Sequence, residues 1–415
     1  MGACMKMSTE AAVRELAEQT AWDSTAMSRL EFLLSKAEIS GRLYRSYHEG
    51  GKRATEELIP RDTALEAVGL FRRFFDQCQR EALKAKAVNA LLKLNDRFEL
   101  AISRDDLPSF QRRRSSPDSS TEEIPLIRPR ARRRIDLVVL FWDSPIARAY
   151  LSVVDYLGYE PRKILHLISS KDLSTGRKVF SIFPGKLKKE SLSARHFNSM
   201  NYWPRKLSSM ENRQYQNFRN KVSHRLSDDC SFFDTAYQRT DLGRFSANVE
   251  HLIVEGINDP KVVDSLKSES GHVLFTGGGL LAKEFFALPA IRLLHVHPGY
   301  LPDIRGSDGV LWSLLLKGKP SASCFYMTPN IDDGPVIHRN YLDLDIDLSL
   351  FASDKTIDRY RMIFSYLDPW IRAILLGETL VKTDGLRNIT ATDQDERCAT
   401  VFYTMHKGLQ EGLYN

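Results

Sequence analysis

The chain has few cysteines and no long apolar run, and each absence excludes a class of protein. Five cysteines are scattered over 415 residues without a Cys-x-x-Cys pair, which argues against a disulfide scaffold and against a thiolate metal site. The longest apolar run, Leu137–Trp142, is far too short to cross a bilayer. No basic segment followed by an apolar one opens the chain, so no secretory signal is expected. We therefore expect reduced thiols, a cytoplasmic location and no membrane partner.

Positive charge is not spread evenly along the chain. The net charge is +6, and much of the arginine lies in one short segment that also holds several serines and prolines. The arginines of this segment are Arg112, Arg113, Arg114, Arg128, Arg130, Arg132, Arg133 and Arg134. Such a composition predicts a disordered basic linker over residues 105–134. Because aromatic residues are not interleaved with the arginines, a nucleic-acid partner is not expected.

Residues 1–104 have the periodicity of helices. Apolar side chains recur at spacings of three and four in AAVRELAEQ, MSRLEFLLSKAE and the long segment that ends in NDRFELAI. No cluster of titratable residues stands out among them. We therefore predict a helical accessory domain, and we expect that a homo-oligomer would form through these helices.

The pattern changes after the linker. Ile135–Trp142 is a continuous apolar run typical of a buried parallel strand, Asp143-Ser144-Pro145 opens a helix, and Lys163–Ser169 is a second strand. The alternation of strands and helices continues further along the chain. It predicts an α/β fold with one Rossmann-like parallel sheet over residues 135–345. Residues 171–245 form an insertion within this core, and residues 346–415 form a helical C-terminal tail.

Turn-forming and titratable residues are densest between Leu293 and Ile337. This stretch contains HVHPGYLP (His295–Pro302), the turn RGSDG (Arg305–Gly309) and IDDGPVI (Ile331–Ile337). Just before it lies HVLFTGGGLL (His272–Leu281), in which a glycine-rich turn follows a strand. Ligands of open α/β sheets bind at the carboxyl ends of the strands, where these residues are predicted to lie.

The stretch from Gly271 to Ile337 resembles the catalytic core of formyltransferases that use 10-formyltetrahydrofolate. The usual family motif is Asn-x-His-Pro-Ser-Leu-Leu-Pro, then a glycine-bearing loop, a threonine-bearing strand and Ile-Asp-x-Gly-x-Ile. In this chain the motif asparagine falls on His295 and the threonine on Ser323, and Phe325 replaces a histidine that is often found there. The resemblance spans roughly Ile135 to Asp345 and is detailed only from His272 onward.

The resemblance implies roles for particular residues. His297, Asp332 and His295 take the catalytic positions, with His297 as acid or base, Asp332 as its orienting carboxylate and His295 as donor to the oxyanion. The donor 10-formyltetrahydrofolate would be bound by Thr276, Gly277, Gly278, Gly279, Leu280, Leu281 and Asp333. Arg305, Gly306 and Ser323 would lie near the substrate, and Arg305 either holds an acidic group or caps a turn.

The residues themselves support this chemistry. Transfer of a formyl group to an amine needs a proton carrier near neutral pH, and histidine meets that need. His295 and His297 would share one face of a strand, which also suggests a metal pair, but no third ligand is evident and no metal is expected. Gly277-Gly278-Gly279 could hold an anion, yet no Lys-Ser or Lys-Thr pair follows, which favours a backbone pocket for a flat pterin ring.

Three functions remain open from the sequence. The first is an N-formyltransferase that moves a formyl group to the amine of an amino sugar, an amino acid or a secondary metabolite. The second is a formyltetrahydrofolate hydrolase, in which water replaces the amine. The third is a non-catalytic binding or regulatory protein with a degenerate core, for which the change from asparagine to His295 is the main argument.

Overall fold

The computed structural model describes residues 8–17, 24–39, 59–100, 102, 121–129, 131–173, 175–179, 184–208, 213–226, 230–344 and 356–414. The chain divides into two compact units. One unit comprises Met1–Ser116, Asp303–Gly318 and Cys398–Asn415, and the other comprises Pro117–Pro302 and Lys319–Arg397. Each unit is described by itself below.

The described helices are α1 (Thr9–Ala17), α2 (Ser24–Ile39), α3 (Arg61–Gln77), α4 (Glu81–Phe98), α5 (Pro145–Tyr156), α6 (Gly185–Met200), α7 (Tyr202–Ser208), α8 (Arg213–Leu226), α9 (Cys230–Asp234), α10 (Pro260–Leu266), α11 (Lys283–Phe286), α12 (Gly309–Lys317), α13 (Thr356–Met362), α14 (Asp368–Lys382) and α15 (Lys407–Tyr414). The described strands are β1 (Arg133–Trp142), β2 (Tyr159–Ser169), β3 (Val249–Val254), β4 (Gly271–Phe275), β5 (Ile291–His297), β6 (Arg305–Gly306), β7 (Ser321–Tyr326), β8 (Val336–Tyr341) and β9 (Val401–Phe402).

The first unit is mainly helical. Helices α1 to α4 pack together, and α12 packs against α4 and α15. The short strands β6 and β9 pair in parallel. A buried polar group lies among these helices, where the Lys86 ammonium contacts Ser35 at 2.9 Å and the Glu38 carboxylate at 3.7 Å. The helical character predicted for the N-terminal residues therefore agrees with the described helices.

The second unit is built on a seven-stranded sheet in the order β3-β2-β1-β4-β5-β7-β8. The strands from β3 to β5 are parallel, as the α/β pattern predicts. Strand β7 runs antiparallel to β5, and β8 runs antiparallel to β7. The predicted fold class is confirmed, with the correction that the sheet is mostly rather than entirely parallel. The loop 327–335 joins β7 to β8 as a hairpin, so no crossover helix is needed there.

Apolar side chains cover both faces of this sheet. On one face Val138, Leu165, Val273 and Leu293 pack with residues of α10 and α11 in a single core cluster. On the other face α5 and α14 pack against each other, and α14 also contacts β5, β7 and β8. Helix α5 begins where the sequence predicts, because the Ser144 side chain accepts a hydrogen bond from the Ala147 N–H.

The observed units differ from the predicted domain boundaries in three places. The predicted linker 105–134 ends too late, because β1 begins at Arg133, and Ile124 and Leu126 are buried before it. Residues 103–120, which carry the rest of the linker, lie outside the described part of the chain. The predicted tail 346–415 is divided, because Cys398–Asn415 belongs to the helical unit. The segment Asp303–Gly318, predicted within the core, also belongs to the helical unit.

The predicted insertion 171–245 holds four described α-helices, α6 to α9, within the second unit. In the described ranges, no helix combines the length and the apolar character that crossing a membrane requires.

Candidate active site

Two histidines stand at the carboxyl end of β5. Successive side chains of a strand point to opposite faces of the sheet, so residues 291, 293, 295 and 297 of β5 share one face. Ile291 and Leu293 enter the core on that face, and His295 and His297 lie on the same face. His297 is 3% exposed, and the strand ends with it. The two imidazoles are thus held on a rigid strand, next to the loop that follows it.

The partner of His297 comes from a different segment of the chain. Its Nδ1 lies 3.4 Å from Oδ2 of Asp332, within ion-pair range. Asp332 is in the left-handed backbone conformation, with φ of 51°, at a turn between β7 and β8. Nδ1 is therefore the ring nitrogen that faces the carboxylate.

The neighbouring Asp333 forms hydrogen bonds within the turn. Its carboxylate accepts hydrogen bonds from the Thr328 hydroxyl and from the Asn330 amide, the latter at 2.7 Å. The turn is also held from outside, because Nε2 of Gln394 donates to the main-chain carbonyls of Asp332 at 2.9 Å and Gly334 at 2.7 Å. Asp333, predicted as a cofactor contact, is therefore bonded within the turn that presents Asp332.

His295 contacts the adjacent strand. Its Nδ1 lies 3.2 Å from the main-chain carbonyl oxygen of Phe275 at the end of β4. Burial, with help from the nearby Arg372 guanidinium, lowers the pKa of His295 to about 4. The ring is accordingly neutral at physiological pH, unlike a surface histidine.

Arg372 of α14 supports the same strand from its other face. Its guanidinium donates a hydrogen bond of 2.8 Å to the main-chain carbonyl of Val296, the residue between the two histidines. Its Nε also donates to Asp368 at 2.9 Å. Nothing in the helical pattern of α14 singles out this arginine, and the sequence prediction did not include it.

Ser323 fixes the loop that follows His297. Its hydroxyl donates to the Gly299 carbonyl at 2.7 Å and accepts from the Leu301 N–H at 3.0 Å. The side chain is fully buried on β7. Ser323, predicted beside the substrate, therefore bonds to the backbone of the His-Pro-Gly loop and acts by positioning it.

The glycine-rich segment after β4 divides into buried and open parts. The Thr276 hydroxyl donates to the Leu140 carbonyl and accepts from the Trp142 N–H, and the Leu281 side chain belongs to the core. Between them, Gly278 has open space where a side chain would be, and the Leu280 side chain is 59% exposed. Only the middle of the predicted cofactor loop is thus available to a ligand.

The Asn258 side chain and two glycines hold this loop. The Asn258 side chain donates to the Leu280 carbonyl at 3.0 Å and accepts from the Ala282 N–H at 2.9 Å. Gly279 has φ of +91°, a conformation that glycine adopts readily. Gly277 is tightly packed, because a Cβ there would lie 2.8 Å from the side chains of Ile257 and Phe275.

Arg305 and Gly306 belong to the helical unit, unlike the histidines. Arg305 is buried in β6, and its main-chain N–H donates to the Thr400 carbonyl at 2.9 Å. A Cβ on Gly306 would lie 2.2 Å from the Phe402 carbonyl oxygen, so this glycine allows β6 and β9 to approach. A role at the substrate for these two residues remains a prediction.

Within the described ranges, no group of three or more histidine, cysteine, aspartate or glutamate side chains has the geometry to hold a metal ion. The pair of histidines on β5 consequently has no third side-chain ligand among those residues.

Comparison with curated proteins places one segment of the chain beside a known enzyme. Over 95 residues the chain is 27% identical to a methionyl-tRNA formyltransferase of Clostridioides difficile strain 630. The segment covers 22% of this chain, and the chain spans 30% of the length of that relative. No family model matches the chain. The resemblance to the formyltransferase family is thereby confirmed for that segment.

Solved structures that are similar to this one include formyltransferases. A sugar N-formyltransferase from Shewanella sp FDAARGOS_354 is 10% identical, with 65% of this chain and 76% of that chain covered and a TM-score of 0.33. The formyltransferase PseJ from Anoxybacillus kamchatkensis, solved with UDP-4,6-dideoxy-4-formamido-L-AltNAc and tetrahydrofolate, is 15% identical. That match covers 42% of this chain and 82% of PseJ, with a TM-score of 0.27.

Proposed function

We propose that this chain is an N-formyltransferase that moves a formyl group from 10-formyltetrahydrofolate to the amine of a small molecule. The observation that carries the proposal is the pairing of His297 with Asp332 at 3.4 Å, at the carboxyl edge of a mostly parallel sheet. A histidine held by a carboxylate is suited to carry a proton between two nitrogens near neutral pH. The sequence match to a formyltransferase supports the same class of transferase.

The residues of the glycine-rich loop fit a flat, partly polar ring. The open space at Gly278 and the exposed Leu280 side chain offer room and an apolar surface, and the backbone offers hydrogen-bonding groups. Residues 277–280 would hold the pterin of the folate there. When bound, 10-formyltetrahydrofolate supplies the formyl carbon that the amine attacks.

The chain's own groups have separable tasks in this reaction. Asp332 holds the His297 ring through Nδ1, and Nε2 would serve the reacting atoms. A proton on Nε2 can be donated where negative charge develops on the formyl oxygen, which lowers the barrier to attack. Ser323 and Arg372 position the ends of the loop and of the strand that carry His297.

The acceptor is proposed only as a small-molecule amine. Amino sugars, amino acids and amine-bearing secondary metabolites all meet the chemical requirement. The described cysteines Cys78, Cys324 and Cys398 are free thiols, which suits the proposed cytoplasmic location. Oligomerisation through α1 to α4 is also proposed, and light scattering of the full chain would test it.

A direct assay tests the proposal. The full chain is mixed with 10-formyltetrahydrofolate and a panel of amines, amino sugars first, and the products are followed by absorbance and mass spectrometry. We expect an N-formyl product and tetrahydrofolate in equal amounts. The variants His297→Asn and Asp332→Asn should lose the activity, whereas His224→Asn and Asp264→Asn, both on exposed helix surfaces, should retain it.

The same assay separates the alternatives. Formate release without any formylated amine would identify a hydrolase and contradict the proposed transfer. Failure to bind tetrahydrofolate at millimolar concentration in calorimetry would contradict both folate reactions and favour the non-catalytic binding protein. Full activity in either active-site variant would contradict the roles assigned to His297 and Asp332.

A further inference from the structure

The hydrogen bond made by His295 determines which of its nitrogens carries a proton. Nδ1 lies 3.2 Å from the Phe275 carbonyl oxygen. A carbonyl oxygen can only accept a hydrogen bond, so Nδ1 must carry the hydrogen and act as the donor. In a neutral imidazole the other nitrogen, Nε2, then has a lone pair and no hydrogen.

The surroundings of His295 favour this neutral form. Burial disfavours the imidazolium most strongly, and Arg372 and His297 also act against a positive charge on the ring. The Asp332 carboxylate and the hydrogen bond to the Phe275 carbonyl favour the charge. The effects that lower the pKa outweigh those that raise it and bring it to about 4, so at neutral pH His295 has a single ring proton, on Nδ1.

This tautomer changes the role that the sequence suggests for His295. A ring nitrogen without a hydrogen cannot donate to an oxyanion. Of the two reacting groups in formyl transfer, the formyl group offers an oxygen that accepts, whereas the amine offers N–H groups that donate. We propose that Nε2 of His295 accepts a hydrogen bond from the attacking amine and orients its lone pair toward the formyl carbon. This inference rests on the proposed formyl transfer.

The two histidines then have complementary tasks. His297 faces the Asp332 carboxylate and can carry a second proton as a donor, whereas His295 stays neutral and accepts. When the environments of two neighbouring titratable groups move their pKa values apart, one group can act as the acid and the other as a hydrogen-bond acceptor. A weakly basic imidazole is suited to orienting an amine, because it does not retain the proton.

The overall transfer balances without a redox partner. The amine nitrogen forms a bond to the formyl carbon and loses one hydrogen as a proton. The bond between the formyl carbon and N10 breaks, its electron pair stays on N10, and N10 takes up a proton. His295 takes no permanent proton in this exchange.

Nitrogen NMR tests the tautomer without any assay of activity. The full chain is labelled with ¹⁵N-histidine, and the His295 signals are identified by their loss in His295→Asn. Between pH 6 and 8 we expect a protonated Nδ1 and an unprotonated Nε2. A proton on Nε2, or on both nitrogens, would overturn the inference whether or not the chain transfers formyl groups.

Kinetics tests the contact with the amine. Glutamine places an oxygen acceptor near the position of Nε2, whereas methionine fills similar space without a comparable acceptor. We expect His295→Met to reduce kcat/KM for the amine by about 100-fold with little change in KM for the formyl donor. His295→Gln should restore most of the loss. Equal losses in the two variants, or a loss confined to the KM of the formyl donor, would contradict the proposed contact.

The two experiments separate this inference from the proposed function. If no amine is formylated by the wild-type chain, the proposed function fails, and the role of His295 as acceptor for the amine fails with it. If formylation occurs but the NMR spectrum shows Nε2 protonated, formyl transfer stands and His295 is an oxyanion donor instead.

Discussion

The guanidinium of Arg372 donates a hydrogen bond of 2.8 Å to the carbonyl oxygen of Val296. Val296 lies between His295 and His297, so a helix more than seventy residues further along the chain fixes the strand that carries these two histidines. The same guanidinium is paired with the carboxylate of Asp368 on its own helix. Packing on one face of the sheet is thereby coupled to the geometry of the site on the other face.

Replacing Arg372 with methionine should destabilise the second unit. The change leaves the Asp368 carboxylate buried without its cation, which costs about 3 kcal/mol in comparable buried pairs. Urea unfolding would measure the loss. Adding Asp368→Leu should recover part of it, because both charges are then removed. No difference between the single and the double variant would show that the pair is not coupled.

Ser323→Ala should disturb the His-Pro-Gly loop. The change removes the acceptor for the Leu301 N–H and the donor to the Gly299 carbonyl, both buried. Leaving such groups unpaired costs about 1–3 kcal/mol. We expect a lower unfolding midpoint and a lower kcat, and a smaller effect in Ser323→Thr, which keeps the hydroxyl. Ser323→Ala with wild-type stability would mean that the loop does not depend on this hydroxyl.

Gly334→Ala should be among the most damaging small substitutions in the chain. A Cβ at Gly334 would lie 1.8 Å from the Tyr326 carbonyl oxygen, so the turn that presents Asp332 would have to move. We expect a loss of at least about 2 kcal/mol by urea unfolding. Gly256→Ala is the matched control, because no described atom lies within 4 Å of a Cβ there. Similar stabilities for the two variants would contradict the close approach.

Local patterns in the sequence predicted much of this unit. The β-α-β opening was visible because Ser144-Pro145 caps a helix directly after an apolar strand. His297 and Asp332 were predicted together from motif spacing, and in the structure Nδ1 of His297 lies 3.4 Å from Oδ2 of Asp332. The antiparallel direction of β7 was not predicted, because an apolar run such as Ser321–Tyr326 does not by itself reveal strand direction.

The supporting contacts were harder to predict for a different reason. Gln394 holds the Asp332 turn across a separation of 62 residues, and Arg372 holds Val296 across 76 residues. Gln394 lies in a polar, mostly exposed segment, whereas Arg372 lies in the largely buried helix α14. Only the fold brings them to their partners, and no local signal marks them in a single sequence.

Glu378 is the shared acceptor of a buried polar network, and replacing it should lower the free energy of unfolding. Its carboxylate accepts from Arg225 at 2.9 Å and Asn340 at 3.0 Å, and lies 3.2 Å from Nε2 of His338. Glu378→Leu removes the shared acceptor and leaves Arg225 without its anion, so we expect a loss of about 3–5 kcal/mol. Glu378→Gln should cost less, because one amide oxygen still accepts. Thermal or urea unfolding that ranked the two variants in the opposite order would contradict the network.

Acid should destabilise the second unit through His196. This side chain is buried, and its Nδ1 accepts a hydrogen bond from the Ser169 N–H at 3.2 Å. Burial, with help from Arg148, lowers its pKa from 6.5 to about 4. Above pH 6.5 the ring is neutral in both the folded and the unfolded chain, and its full contribution to stability is present.

As the pH falls below 6.5, His196 takes up a proton in the unfolded chain but stays neutral in the folded chain. The free energy of unfolding therefore decreases until the pH passes below about 4. The total loss from this one group is on the order of 3 kcal/mol. His196→Asn keeps an acceptor for the Ser169 N–H but cannot titrate, so its stability should depend less steeply on pH in that range. His224→Asn, on an exposed helix surface, should retain the wild-type slope. Parallel urea unfolding curves from pH 7 to pH 4 would measure the three slopes, and equal slopes for wild type and His196→Asn would show that His196 is not the group responsible.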